Sequence, residues 1–286
     1  MTVVEVVRGS SPVILGFPHT GTDVPPAVWQ TLNENGRLLA DTDWHLHTLY
    51  AGLLPAATTV RATFHRYVID ANRDPAGTSL YPGQNTTELV PLTDFDGRPI
   101  WREGQEPGAD EVTTRRAAFH APYHAALAAE VARVRALHGT AVLYDCHSIR
   151  SCIPFLFEGM LPDFNVGTGT PRTYPEMERR SPLGESDGMD LPGTCSAAIA
   201  SAVVETVHAA TGYTHVVNGR FKGGWTTRNY GQPDGWNVHA IQMELAQSTY
   251  LSAEAPPFAY DARKADAVRI HLKTLLARIE AIAFDL

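Results

Sequence analysis

The sequence predicts an α/β protein, a three-layer α/β/α sandwich around a mixed, largely parallel sheet. Two observations carry that prediction. Short β-branched runs alternate along the chain with longer segments whose apolar residues recur at helical spacing, the pattern of strands joined by crossover helices. The chain has 286 residues and 44% hydrophobic content, with no internal repeat and no linker, which is enough apolar material for one core. Residues 1–286 are therefore expected to form a single domain.

"VVEVV" (3–7) and "PVILGF" (12–17) are short, β-branched and bounded by Gly, Ser and Pro, as strands are. The second empties into the histidine turn "PHTGTDVPP". From Thr42 onward Trp44, Leu46, Leu49, Tyr50 and Leu53 have helical spacing, with Asp41 or Thr42 as the cap. "TTVRATF" (58–64) and "YVID" (67–70) read as two more strands, the latter running into "ANRDP". Residues 74–110, rich in Gly, Pro, Asn and Asp, predict a long irregular connection of the kind that often carries function. A helix is expected over about 110–138, kinked or restarted at Pro122, and ending at Gly139 before the strand that opens "AVLYD". Segment 161–193, dense in Pro, Gly and acidic residues, predicts an excursion over the surface. The helix "CSAAIASAVVETVHAA" (195–210), the strands "HVVNG" (215–219) and "VHAIQMELA" (238–246), and an amphipathic helix over about 262–283 complete the chain.

Composition narrows the function. A net charge of −8 supplies no basic excess for phosphate backbones, which argues against nucleic acid as a partner. No stretch approaches ~20 uninterrupted apolar residues and the N-terminus lacks the pattern of a signal peptide, so no membrane association is expected. Three cysteines form no disulfide framework, which fits a reducing, cytoplasmic setting.

The strongest signal is a recurrence. In sheets of this class ligands collect at the carboxyl ends of strands, and several such ends here carry reactive side chains: His19; Asp70, Asn72 and Arg73; Asp145 and His147; Asn218 and Arg220. A turn-capping role explains any one Asp or Asn but accounts poorly for the histidines. Strand geometry puts Asp145 and His147 of "LYDCHSIRS" on one face and Cys146 on the other, which marks Cys146 as a core residue. Two histidines from separate strand ends with one carboxylate suit a catalytic metal that keeps a position for water, and a carboxylate beside an imidazole can either ligate or orient it. Glu244, in the apolar run "IQMELA", either faces a site as a proton acceptor or pairs with a buried arginine. "HAPYH" sets His120 and His124 four apart, but Pro122 spoils a regular helical ligand pair, and surface or supporting roles are favoured. Arg220, Lys222 and Arg228 crowd one loop of an acidic chain and would make a wall for carboxylates.

Taken together, "FPHTGTDVP", "DTDWHLHTLY", "RYVIDANRDP", "SLYPGQNTTELVPL", "PYHAAL", "YDCHSIRSCIPFLFEG", "NGRFKGGWTTRNYGQP" and "IQMELAQSTY" resemble the N-formylglutamate amidohydrolase family, over about residues 12–250. The resemblance implies a fold related to the zinc carboxypeptidases and aspartoacylase, with one divalent metal ion, expected to be zinc. It implies His19, Asp43 and His147 as ligands, with Asp41 as the alternative to Asp43, and Asp145 supporting His147. Asn72, Arg73, Arg220 and Arg228 would bind a small dicarboxylic substrate, and Glu244 would be the general base. Departures from the related patterns are Thr22 where the carboxypeptidases have their carboxylate, His65 and Asn229 where the family has serine and histidine, and a longer segment over about 169–192. The expected activity is hydrolysis of N-formyl-L-glutamate to L-glutamate and formate, in histidine degradation, by a chain that could form a homo-oligomer. The competing readings are another N-acyl amino acid deacylase or carboxypeptidase-like peptidase, and a metal- or dicarboxylate-binding protein without turnover.

Overall fold

The computed structural model describes residues 2–78, 86–169 and 193–286. Most of the predicted longer segment at 169–192, and the first half of "SLYPGQNTTELVPL", lie outside the described residues. Among the described residues seven strands form one sheet, β1 (Val4–Val7), β2 (Val13–Phe17), β3 (Thr58–Ala62), β4 (Ala141–Ile149), β5 (Phe164–Gly167), β6 (His215–Val217) and β7 (Val238–Ala246), and the α-helices run from α1 (Pro26–Thr31) through α2 (Leu46–Tyr50), α3 (Ala109–Arg115), α4 (Ala121–His138), α5 (Ala197–His208), α6 (Trp225–Tyr230) and α7 (Pro233–Trp236) to α8 (Ala262–Phe284). The strand order is β1-β3-β2-β4-β7-β5-β6. Only β1 against β3 and β5 against β7 are antiparallel, so the sheet is mixed and its centre, β3-β2-β4-β7, is parallel throughout.

The central strands are nearly continuous apolar runs because both their faces are covered. Leu143, Ala141, Val238 and Ala240 pack in a cluster with Tyr123, Leu127 and Val134 of α4 (Ala121–His138). Val142, Tyr144, Cys146, Ile241, Met243 and Leu245 pack on the other side with residues of α5 (Ala197–His208) and α8 (Ala262–Phe284). Cys146 is therefore a core residue, as its strand position predicts. Both long C-terminal helices are capped as their sequences suggest, by Ser196 and by Asp261.

Three expectations need correction. The helix predicted from Thr42 shrinks to α2 (Leu46–Tyr50), because Thr42–His45 form turns and His45 takes a left-handed φ of 56°. "YVID" is not a strand: Val68 closes a turn onto the His65 carbonyl, and the Arg115 guanidinium, rather than a neighbouring strand, donates to the Tyr67 and Val68 carbonyls. Complete burial of Tyr67, Val68 and Ile69 produces the strand-like sequence without a ladder. The segment from 161 does not simply run over the surface, since Phe164–Gly167 is a buried strand paired with β7. As expected, a new α-helical segment starts beside Pro122, which lies in the first turn of α4. α3 (Ala109–Arg115) passes through a π turn (Arg116–His120) into α4, and the Ala121 N–H reaches back to Arg116 O. The widened turn absorbs the missing donor and the steric demand of the proline.

Candidate metal centre and substrate cavity

β4 and β7 lie in parallel register with Asp145 opposite Gln242 and His147 opposite Glu244. Residues paired in this way point to the same face, so the face that is apolar through Leu143 and Ala240 turns polar from Asp145 and Gln242 onward. At the end of β2, His19 adds a second imidazole, and its carbonyl accepts a hydrogen bond from the Asp43 N–H at 3.1 Å. That bond and the turn at His45 bring Asp43 between the two histidines. Its Oδ2 lies 3.9 Å from His19 Nδ1 and 3.6 Å from His147 Nδ1.

His19, Asp43 and His147 form the one group able to hold a metal ion among the described residues, with ligand atoms within 4.8 Å of one another. All three are buried. Each histidine is held from behind by an aspartate: His19 Nε2 meets Asp70 Oδ1 at 2.7 Å, and His147 Nε2 meets Asp145 Oδ2 at 2.9 Å. Such pairs fix the ring and leave the other nitrogen to face a ligand. Asp41, by contrast, accepts from Tyr67 Oη at 2.8 Å and from the Phe95 N–H at 3.0 Å, and stands outside the group. Burial pushes its carboxyl up to about 7.

The two imidazoles differ in charge preference. Burial and the nearby Arg66 hold His19 below its ordinary value, although Asp70 pulls the other way. Asp70 has little influence to spare, because Arg66 Nη2 already sits 2.5 Å from its Oδ2. For His147 burial also disfavours the charged form, but Asp145 and Asp43 outweigh it and raise the ring well above its usual range. Glu244 is pushed up by burial and by Asp43, against the opposing pull of His147. Its Oε2 accepts from Gln242 Nε2 at 3.0 Å, and Gln242 Oε1 in turn accepts from the Gly224 N–H at 2.7 Å.

A cavity of about 710 Å³ opens over this centre, lined by His19, His147, Gln242 and Glu244 and by Arg66, Asn72, Arg73 and Arg220. Arg73 Nε and Nη2 donate to Thr87 O at 2.9 Å and Thr87 Oγ1 at 3.0 Å. Arg220 packs over the Phe221 ring. Arg228 belongs to α6 (Trp225–Tyr230) and is absent from the cavity lining. Asn72 is tightly enclosed: its Oδ1 accepts from the Thr226 N–H at 2.9 Å, its Nδ2 is 3.2 Å from His147 Nε2, and a Cβ at Gly224 would lie 2.3 Å from that Nδ2. Sequence reasoning missed Arg66 and Gln242. Arg66 is flanked by two aromatic side chains in "HRY", and Gln242 stands two residues before Glu244 on one strand face, so both left a signal. His65, the departure from the family pattern, is fully buried and accepts from the Tyr67 N–H through Nδ1 at 3.0 Å.

Known proteins share this architecture and sequence. A crystal structure of N-formylglutamate amidohydrolase from Ralstonia eutropha JMP134 superposes with a TM-score of 0.72 over 97% of each chain at 23% identity, and a gene product of Agrobacterium tumefaciens with 0.67 over 98% of this chain and 97% of its own at 18% identity; both speak for the fold. An N-formylglutamate deformylase of Pseudomonas aeruginosa is 44% identical over 281 residues, covering 98% of this chain and 96% of its own length. That of Pseudomonas putida is 40% identical over 280 residues, with the same coverage. The family model described as N-formylglutamate amidohydrolase matches residues 11–251, a span that begins just before β2 and takes in every residue of the centre and cavity described above. The chain thus belongs to the N-formylglutamate amidohydrolase family of hydrolases.

Proposed function

We propose that this chain hydrolyses N-formyl-L-glutamate to L-glutamate and formate in a metal-dependent reaction, as a step of histidine degradation in the cytoplasm. The observation that carries the reading is the convergence of one carboxylate and two carboxylate-backed imidazoles beneath a cavity lined by arginines. That donor set fits a zinc ion held by three protein ligands, His19 Nδ1, Asp43 Oδ2 and His147 Nδ1. When bound there, the metal supplies Lewis acidity toward a carbonyl oxygen and acidifies water.

The chain's own residues do the rest. Glu244, whose burial favours holding a proton, takes one from the attacking water and returns it to the leaving nitrogen. Gln242 holds Glu244 by one oxygen and leaves the other for the proton. Asp70 and Asp145 keep the two imidazoles oriented, and Arg66 keeps Asp70 anionic, its carboxyl lying well below the usual range despite burial. The substrate carries two carboxylates, so its recognition requires two cationic contacts. Arg73, in the turn that follows Asp70, and Arg220, in the loop after β6, both line the cavity and are the candidates for these contacts. Arg228, from α6, is the third candidate for this role.

Release of the free amino group by the purified protein, compared across N-formyl-, N-acetyl- and N-aspartyl-type substrates, tests the reading. Selective turnover of N-formylglutamate supports it. Preference for an acetylated amino acid or for a peptide transfers the site to a different amidase, and binding without turnover makes it a receptor.

A further inference from the structure

His120 and His124 of "HAPYH" take no part in the chemistry above, yet both are buried and both point at the same short stretch of chain. His120 Nε2 lies 3.0 Å from the Arg73 carbonyl oxygen, and His124 Nε2 lies 2.7 Å from the Ala71 carbonyl oxygen. The two bonds straddle Asn72. They depend on the π turn, because Arg116–His120 and Pro122 set the phase at which the rings leave the helix, with centroids 4.4 Å apart. Trp225, the first residue of α6, packs edge-on against His124 at 4.6 Å and at a tilt of 57° against His120 at 5.6 Å. The next residue, Thr226, holds the Asn72 side chain through its N–H. Asn72 is thus fixed twice, by its flanking carbonyls and by its amide, and the adjoining Arg73 leaves the backbone in a direction that these bonds set.

We propose that His120 and His124 are positioning residues that hold the Ala71–Arg73 turn so that Arg73 meets a carboxylate of the substrate. The inference rests on the deformylase reading for the identity of that substrate. Burial keeps both rings below their ordinary values, so each is a neutral imidazole with one N–H, which its Nε2 can donate to a carbonyl. A buried carbonyl that loses such a donor must find another partner or move, and Arg73, whose Nη1 donates to the Asn72 carbonyl at 3.2 Å, would move with the turn. The role therefore differs from simple packing in a measurable way.

The test replaces each histidine in the full-length metal-loaded protein by Leu, which removes the donor, and by Gln, whose amide replaces the Nε2–H. His120→Leu and His124→Leu should each raise KM for N-formylglutamate about 5- to 50-fold, the scale of one buried hydrogen bond, with kcat and metal content close to the parent. His120→Gln and His124→Gln should recover most of the loss. Unchanged KM in the Leu variants, Gln variants as impaired as Leu, or falling kcat or metal content at constant KM would overturn the assignment. Should the Leu variants fail to fold, His120→Asn and His124→Asn, whose shorter amides cannot reach the same carbonyls, take their place with the same expected and contrary results. Absence of turnover in the parent would instead refute the deformylase reading. Calorimetric titration with L-glutamate would then decide this inference: weaker binding in the Leu but not the Gln variants supports it, and equal or undetectable binding overturns it.

Discussion

The two faces of β4 and β7 are made from the same eighteen residues and differ in one respect. On the α5/α8 side, Val142, Tyr144 and Cys146, with Ile241, Met243 and Leu245, form an apolar run, and the polar His239 and Ser148 lie only near the outer ends of the two strands. On the α4 side, Ala141 and Leu143, with Val238 and Ala240, give way to Asp145, His147, Gln242 and Glu244. One face fills a core along most of its length, while the other stops filling it where the loops diverge and the cavity begins. The difference teaches that period-two geometry, applied beyond the last core residue, locates the chemistry.

Substitutions on the polar face should therefore cost turnover, and those on the apolar face should cost stability. The largest effect is expected for His147→Ala, which removes one of the three proposed ligands: metal content by elemental analysis and formate release should both fall to background. Glu244→Gln keeps the shape of the side chain but cannot accept a proton. Metal and substrate should still bind while kcat drops by about 10²-fold or more, the usual scale for general acid–base help; activity within a few-fold of the parent would reduce Glu244 to a structural role.

Next in size are the arginines. Arg73→Ala and Arg220→Ala should each lower kcat/KM for N-formylglutamate by roughly 10- to 150-fold, as a charge-assisted contact is worth about 1.5–3 kcal/mol. N-formylglutamine keeps the α-carboxylate and lacks the side-chain charge, so the arginine that reads the side chain should matter little on that analogue. Equal losses on both substrates for both variants would mean that neither arginine reads it. The smallest effect on turnover belongs to Met243→Ala, on the same strand as Glu244 but facing the core. It should lower unfolding free energy by about 2–5 kcal/mol while kcat of the folded protein holds. A large kcat loss there would break the separation between the faces.

Much of this was legible in the sequence, and the failures have physical causes. "AVLYDCHSI" and "VHAIQMELA" could be read because long strands covered on both faces are written as apolar runs whose interruptions stand out. "YVID" misled because complete burial without a ladder leaves the same composition as a strand. "FNVG" was missed because four residues inside a Pro- and Gly-rich stretch give no period. His19 and His147 stood out at strand ends, whereas the choice of Asp43 over Asp41 came from resemblance, since the turn that separates them depends on a bond from the Asp43 N–H to the His19 carbonyl and on the backbone of His45. Arg66 went unnoticed because it precedes the misread "YVID", which outweighed the two aromatic neighbours as a sign that its guanidinium turns inward toward Asp70.

The account turns on metal-dependent deformylation at His19, Asp43 and His147. Its most direct test is formate release from N-formylglutamate by one preparation before chelation, after chelation and after titration with zinc, with metal content measured at each stage. The account predicts that activity disappears with the metal and returns in proportion to zinc, levelling off at about one equivalent per chain, the occupancy of a single three-ligand site. Undiminished formate release from protein shown to be free of metal would contradict it.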